Sequence, residues 1–303
     1  MKTSVSTFAA FTLGIDEGLR VIAEAGFDAI DLGLDSFFVQ KDTIDDAYEA
    51  FLLDEKRIRE TIDAVKEGLK KYGLTIGQAH APSAYVPRKP RETSIMRKCV
   101  EKCFEICEEL DCRHLVIHPI CDGSARYPSL TKEDELRENM AYFSSIIPLL
   151  KKHNVICCLE NAYCLDWGTK KAYACACSDM EEAIRYIDSL NALAGEKRFA
   201  FCLDTGHLLL LGTDPYNAVR SLADRMEILH VHDNNGYLDD HTAAFLGVCN
   251  WGRFIKGLRE VGYKGNINME TSNFVQLFPK ELIPAALKLL ASEADYFREK
   301  LQA

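Results

Sequence analysis

VICCLE at 155–160, FAFCLD at 199–204, MEILH at 226–230 and GNINME at 265–270 are four short apolar runs, each closing on a side chain that can bind metal. Each has the β-branched and large apolar content of a strand and a polar terminus, and a helical pattern separates each from the next. The same strand-then-helix rhythm runs back to the start of the chain, where TSVSTFA, FDAIDLGL, LTIGQAH and RHLVIHP supply four earlier strands. Helices are expected near 16–25, 44–72, 93–110, 132–152, 179–190, 215–223, 252–261 and 279–300. Gly26 and Gly73 fall just past helix ends, and Asp214-Pro215 reads as an N-cap followed by proline at the first helical position. Eight alternating units without a break in composition predict an α/β fold, one parallel (β/α)8 TIM barrel forming a single domain over 1–303. A doubly wound sheet is the main competitor, but no G-x-G-x-x-G follows an early strand.

The bulk numbers fit that reading. The chain has 303 residues, 48% of them hydrophobic, and a net charge of −10, which argues against a nucleic-acid partner. The first residues lack the apolar core of a signal peptide, and no run approaches membrane-spanning length. The twelve cysteines do not suit a short, exported disulfide scaffold, so a cytoplasmic location is expected. Cys99, Cys103 and Cys107 recur on one helix face, and Cys157, Cys158 and Cys202 lie in strands; both sets read as small core hydrophobes. Cys164, Cys175 and Cys177 cluster in a loop where a soft-metal site is conceivable.

Carboxylates and an imidazole at the carboxyl ends of successive parallel strands converge at the top of a barrel, where such folds carry their chemistry. Glu160, Asp204, His230 and Glu270 therefore form a predicted ligand set for a divalent cation such as Mn, Zn, Mg or Co. Six of the eight histidines sit at this same level: His80, His118, His207, His230, His232 and His241. His114 and His153 fall at the opposite ends of their units and read as structural. Asp233 either accepts from one of the imidazoles or caps its loop.

LEN at 159–161, LDTGH at 203–207, HVHDNNG at 230–236 with DDH at 239–241, and MET at 269–271 resemble the xylose isomerase-like barrel superfamily. That group includes sugar and sugar-phosphate isomerases and epimerases, inositol-pathway dehydratases and endonuclease IV. The resemblance implies that Glu160, Asp204, His230 and Glu270 hold one divalent cation. It also implies that Glu160 and Glu270 act as an acid/base pair. In endonuclease IV the site holds three zinc ions, and His80, His118, His207, Asp239 and His241 match its additional ligands. One departure is visible in Gly247-Val248-Cys249-Asn250-Trp251, where Cys249 stands in place of the second glycine of a G-x-G-x-I-x-W signature.

The expected enzyme is a divalent-metal-dependent isomerase or epimerase of a small sugar or sugar phosphate, working by proton transfer through a metal-bound enediolate. His232, His207 and Trp167 are the expected substrate contacts, with His232 also able to orient a ligand. The segment NAYCLDWGTKKAYACACSDM at 161–180 reads as a lid over a small polyol, with Tyr163, Trp167 and Tyr173 as its aromatics. The basic run from Pro87 to Arg91 reads as a solvated loop or a seat for one phosphate. Two other activities remain open: dehydration of a cyclic polyol, and phosphodiester cleavage of the endonuclease IV kind. A barrel that binds without turnover is the non-enzymatic reading. A homo-oligomer is compatible with all of them.

Overall fold

A computed structural model describes residues 1–37, 44–82, 90–121, 131–166 and 168–303. The barrel strands are β1 (Thr3–Ser6), β2 (Ala29–Gly33), β3 (Thr75–His80), β4 (His114–Ile117), β5 (Ile156–Glu160), β8 (Phe199–Asp204), β9 (Met226–His230) and β10 (Ile267–Met269). Strands β6 (Tyr163–Asp166) and β7 (Lys171–Ala174) form a separate antiparallel hairpin. The eight barrel strands run parallel in the order β10-β1-β2-β3-β4-β5-β8-β9. The seam between β9 and β10 is closed by a single parallel bridge between Val231 and Met269. Two hydrogen bonds hold it, Val231 N–H to Asn268 O at 2.8 Å and Glu270 N–H to Val231 O at 3.1 Å. The chain is a (β/α)8 barrel, as the alternation of units predicts.

The two-residue period of a strand decides which side chains enter the barrel. In β5, Cys157 and Leu159 face the helix layer and join the main core, while Ile156 and Cys158 point inward. In β8, Phe201 and Leu203 go outward and Ala200 and Cys202 inward. The same alternation continued to the strand ends sends Glu160, Asp204, His230 and Glu270 inward. It does the same for His80 at the end of β3 and His118 just past β4. One side of the barrel interior is thus apolar, filled by Val116, Ile156, Cys158, Ala200, Cys202 and Ile228. The other side is a buried polar column in which Ser4 Oγ donates to Asn268 Oδ1, and Asn268 Nδ2 and Gln78 Nε2 donate to Asp31 Oδ2.

Helix ends follow the expected chemistry. Gly26 and Gly73 close their helices with φ of +109° and +72°, a conformation glycine adopts without strain. Asp214 caps the helix Pro215–Leu222 by accepting from Tyr216 N–H. The structure corrects two readings. The expected helix over 44–72 is two helices, Ile44–Leu53 and Glu55–Tyr72, because the Asp54 carboxylate accepts from Arg57 N–H and starts a new helix there. The segment after Glu160 is the β6–β7 hairpin. No helix among the described residues is long and apolar enough to cross a membrane.

Candidate metal centre

Register aligns the ligand-bearing strand ends: Asp204 pairs with His230, and His80 with both Gly33 and Val116. At the middle of the mouth stands His230, fully buried. Its Nδ1 lies 2.8 Å from Glu160 Oε1, 3.1 Å from Glu270 Oε2 and 3.9 Å from Asp204 Oδ2. Its Nε2 faces the polar column, 3.4 Å from Asp31 Oδ2. The four groups predicted to share a cation therefore meet around one nitrogen, with the Asp31 carboxylate behind the imidazole at ion-pair distance.

The five further residues join the same cluster in two groups. His118 Nε2 lies 2.8 Å and His80 Nε2 3.5 Å from Glu160 Oε2, and the two imidazole nitrogens are 3.1 Å apart. On the other side, Asp239 Oδ2 is 3.1 Å from His241 Nε2 and 3.5 Å from His207 Nε2, and it also accepts from Tyr163 Oη at 3.1 Å. Three of these imidazoles are set in one way. His80, His207 and His241 each turn Nδ1 to a backbone carbonyl, that of Ala81 (2.6 Å), Asn161 (2.8 Å) and Glu270 (2.9 Å). The Nδ1 proton is thereby fixed and the Nε2 lone pair is aimed into the cluster, as metal-ligating histidines require.

Asp204 is held by its own strand end. The Asn161 amide donates to Asp204 O and accepts from Asp204 N–H, and Asp204 Oδ1 accepts from His207 N–H at 2.7 Å as the cap of the helix Thr205–Leu210. His232 Nε2 lies 3.0 and 3.1 Å from the two Asp204 oxygens. This corrects the expectation that His232 touches substrate: the ring is fully buried beside Asp204 and does not line the cavity, which leaves it the ligand-orienting role. A Cβ on Gly206 would overlap the His232 ring, so glycine in LDTGH gives that ring its place. Asp233 contacts none of the imidazoles. Its carboxylate accepts from Asn234 N–H, Cys249 N–H and Trp251 Nε1, which organises the loop and packs Trp251 at the start of the helix Trp251–Glu260. Gly247 is needed there because a Cβ would strike Asn234 O and the Asp233 carboxylate.

The electrostatics of the cluster are those of a cation site. Burial pushes the Glu160 carboxyl up, but His230 and His118 outweigh it and hold it well below the usual glutamate range. Burial likewise opposes ionisation of Asp204, yet His207 and His232 bring it to about 2. Against the cost of burial, Glu160 raises His80 to about 9, and Asp239 and Glu270 raise His241 to about 10. Glu160 and Asp204 are thus favoured as carboxylates, and the protons that His80 and His241 hold more tightly offset charge that a metal ion would neutralise instead. His230 Nε2, His232 Nδ1 and Asp239 Oδ1 are buried without a hydrogen bond. Neighbouring ligand atoms on a tetrahedral ion with bonds of about 2.0–2.1 Å lie roughly 3.3 Å apart, close to the separations observed. Glu160, Asp204 and Glu270 each bring an oxygen within 4 Å of His230 Nδ1, as a shared divalent cation would need, and the groups His80–His118–Glu160, His80–His230–Glu270 and His207–His232–Asp239–His241 also have ligand atoms close enough to share an ion.

Above the cluster opens a cavity of about 490 Å³, bounded by His207, Asp239 and His241 on one side and by Phe8, Tyr163 and Leu165 at the rim. Among the described residues lining it there is no lysine or arginine. Trp167, Arg88 and Lys89 lie outside the described residues. His114 and His153 pair with Glu227 and Glu108 away from the site.

Fold and side-chain arrangement together describe a (β/α)8 barrel whose candidate ligand groups gather at the carboxyl ends of the strands. The sequence profile of the xylose isomerase-like TIM barrel family matches residues 19–297, and the chain belongs to that family. An uncharacterized protein of Methanocaldococcus jannaschii is 25% identical over 313 aligned positions that span all of this chain and 94% of that protein. Among solved structures, a D-tagatose 3-epimerase-like protein superposes with a TM-score of 0.72 at 22% identity, covering 99% of this chain and 100% of that one. The 3-keto-D-glucoside 4-epimerase of E. coli gives 0.71 at 16% identity over 99% of each chain. The IolI protein, solved with a bound zinc atom, gives 0.66 at 16% identity over 100% of this chain and 96% of that one.

Proposed function

We propose that this protein is a divalent-metal-dependent isomerase or epimerase acting on a small, uncharged sugar or polyol. The observation that carries the reading is the placement of Glu160 Oε1 and Glu270 Oε2 against the same His230 nitrogen, at 2.8 and 3.1 Å, from strands three places apart around the ring. Two carboxylates approaching one point from different directions can exchange a proton across a carbon between them. Glu160, Asp204, His230 and Glu270 would hold the cation, which when bound polarises a carbonyl and offsets the negative charge that develops beside it. One glutamate removes the proton from the carbon next to the carbonyl, and the other returns it to the opposite face or to the neighbouring carbon. Glu160 is ionised across the neutral range and can serve as base. His207 and Tyr163, on the cavity wall, are the substrate contacts, and the rim side chains of Phe8 and Leu165 limit water. Carboxylates, imidazoles and a phenol recognise hydroxyl groups, which favours a neutral polyhydroxy compound over a phosphorylated one. The solved relatives named as sugar epimerases support this choice of substrate class.

The test is incubation of metal-loaded protein with a panel of ketoses and polyols in D₂O. Deuterium entering a carbon beside the carbonyl, and its loss in Glu160→Gln and Glu270→Gln, is the expected result. A product formed without deuterium uptake would replace proton transfer by a hydride shift, and loss of water from a cyclic ketopolyol would make the enzyme a dehydratase.

A second reading is favoured by one specific feature. Both Glu160 oxygens are engaged by imidazoles, Oε1 by His230 and Oε2 by His118, so this carboxylate can bridge two cations. Clustered cations suit phosphodiester hydrolysis. Three tightly held zinc ions per chain together with nicking of abasic duplex would establish it over the isomerase.

A further inference from the structure

Cys121, Cys164 and Cys175 meet beside the cavity mouth although they lie on three different segments. Cys121 follows β4, Cys164 is within β6, and Cys175 comes directly after β7. Their sulfurs all lie within 4.8 Å of one another, and Cys121 Sγ is 2.8 Å from Cys175 Sγ. They are set apart from the other cysteines. Cys99, Cys103, Cys107, Cys157 and Cys177 pack into the main core, and Cys158 and Cys202 into the barrel interior. The thiol trio instead forms its own small cluster with Ala162 and Tyr173. Sequence proximity pointed to Cys177 as the third thiol, but its side chain turns into the core and Cys121 takes its place.

We propose that Cys121, Cys164 and Cys175 form a second metal site, a three-thiolate seat for a thiophilic cation, zinc(II) or copper(I). Sulfurs on a tetrahedral zinc with Zn–S bonds of about 2.3 Å lie roughly 3.8 Å apart, inside the spread found here. Thiolates select such ions over magnesium or calcium, whereas the carboxylate and imidazole donors of the barrel mouth suit harder ones. A disulfide would use two of the sulfurs and leave the third without a role; an ion uses all three. Cys121 is only partly buried, and Cys121 and Cys164 also line the cavity, so an ion can enter from that side and the fourth coordination position remains open. Binding breaks three S–H bonds, forms three metal–sulfur bonds and releases three protons to solvent, with no change of oxidation state.

The consequence is mechanical. The ion would tie the hairpin to the segment after β4, and that hairpin carries Tyr163, whose hydroxyl reaches Asp239 at the main centre. Occupancy of the thiol seat should therefore set how firmly Tyr163 closes on the substrate, appearing in KM rather than in the metal content of the barrel mouth.

The experiment uses the full chain, purified under reductant, stripped by chelator and reloaded with cobalt(II). Thiolate coordination gives a sulfur-to-cobalt charge-transfer band in the near ultraviolet that imidazole and carboxylate ligands do not produce. The band is expected in the native protein and to persist in Glu160→Gln. Each of Cys121→Ser, Cys164→Ser and Cys175→Ser should remove about a third of it or more, as equal ligands imply, and the triple variant all of it. Cys249→Ser, a half-buried cysteine elsewhere, should leave it unchanged, with circular dichroism showing that every variant is folded. Bleaching of the band by one equivalent of zinc(II) assigns zinc; bleaching by copper(I) alone assigns copper. No band in reduced protein, or a band surviving the triple substitution, overturns the proposal. So does a chain lighter by two hydrogens that yields a Cys121–Cys175 cross-linked peptide, which would make the cluster a redox clasp.

Discussion

Replacing Asp31 by asparagine isolates the contribution of a residue that touches no proposed ligand atom except through His230. Two amides, Gln78 Nε2 at 3.2 Å and Asn268 Nδ2 at 2.8 Å, donate to the same Asp31 oxygen that faces His230 Nε2 at 3.4 Å. Those two donors orient the substituted side chain with its carbonyl oxygen in the old Oδ2 position, so the imidazole still faces an oxygen. What is lost is the negative charge. The carboxylate stands 3.4 Å from that nitrogen without hydrogen-bond geometry, so what is lost is its Coulombic part, about 1–1.5 kcal/mol for a charge directly behind a metal ligand. At about 1.4 kcal/mol per factor of ten, Asp31→Asn should weaken metal binding about five- to tenfold, near the lower end of what partners behind a metal ligand usually contribute. The assay is competition of stripped protein against a chromophoric chelator for zinc or manganese, with thermal melting of the metal-free form as control. Asp31→Ala is less informative, since it removes the acceptor of the buried Asn268 and Gln78 amides and costs stability directly. An Asp31→Asn protein that melts normally and binds metal as tightly as the native chain would refute the role given to Asp31, and with it His230 as a ligand through Nδ1.

Three further outcomes follow from the geometry. Gly206→Ala should drive the His232 ring off Asp204 and cost about 1–3 kcal/mol in stability, read by melting, with a parallel loss of metal affinity; normal melting and affinity would show that the ring has another place to go. Tyr163→Phe removes the hydroxyl that donates to Asp239, so KM should rise up to about tenfold with kcat little changed; a fall in kcat alone would instead make the phenol a proton donor. Glu293, on the helix Ile283–Gln302, is raised by burial to about 7, opposed by the Ala244 N–H that it accepts and reinforced by Asp233. A carboxyl raised in the folded state binds its proton more tightly there than in the unfolded chain. Its cost is therefore absent at low pH, grows as pH rises from about 4.5 towards 7, and is complete above that. Glu293→Gln should flatten this dependence and stabilise the protein at pH 8 by about 2 kcal/mol, discounted for residual contact with water, or ~3 °C in Tm for a chain of this length; an unchanged pH profile would refute it.

The barrel and the composition of its mouth were legible because both rest on local patterns. Inward and outward positions alternate along each strand, so a polar residue closing an apolar run, such as Glu160 or Asp204, must arrive at the top of the barrel. Residues acting behind the ligands carry no such mark. Asp31 is one of two aspartates in FDAIDLGL, with nothing in the pattern to single it out, and its meaning depends on Asn268 at the far end of the chain. His232 shares a face with His230 in sequence, but the turn after β9 tucks it behind Asp204. Asn161 was visible in the LEN motif, yet that it braces Asp204 becomes apparent only from the packing of β5 against β8. The β6–β7 hairpin was hidden because its strands are short and of mixed polarity. The thiol trio was misread because Cys121 lies far from Cys164 in sequence, while the neighbouring Cys177 faces the core.

The closure of the barrel carries one more implication. At the seam, β9 and β10 are joined by a single bridge, and two of the proposed ligands, His230 and Glu270, stand on its two lips. A cation shared between them would act as a rivet across the weakest joint of the ring. Loss of the ion should then let this joint breathe, with amide exchange at Val231 and Glu270 quickening well before the rest of the molecule loosens. The proposed activity and the integrity of the wall would thus fail together, at the same place and for the same reason.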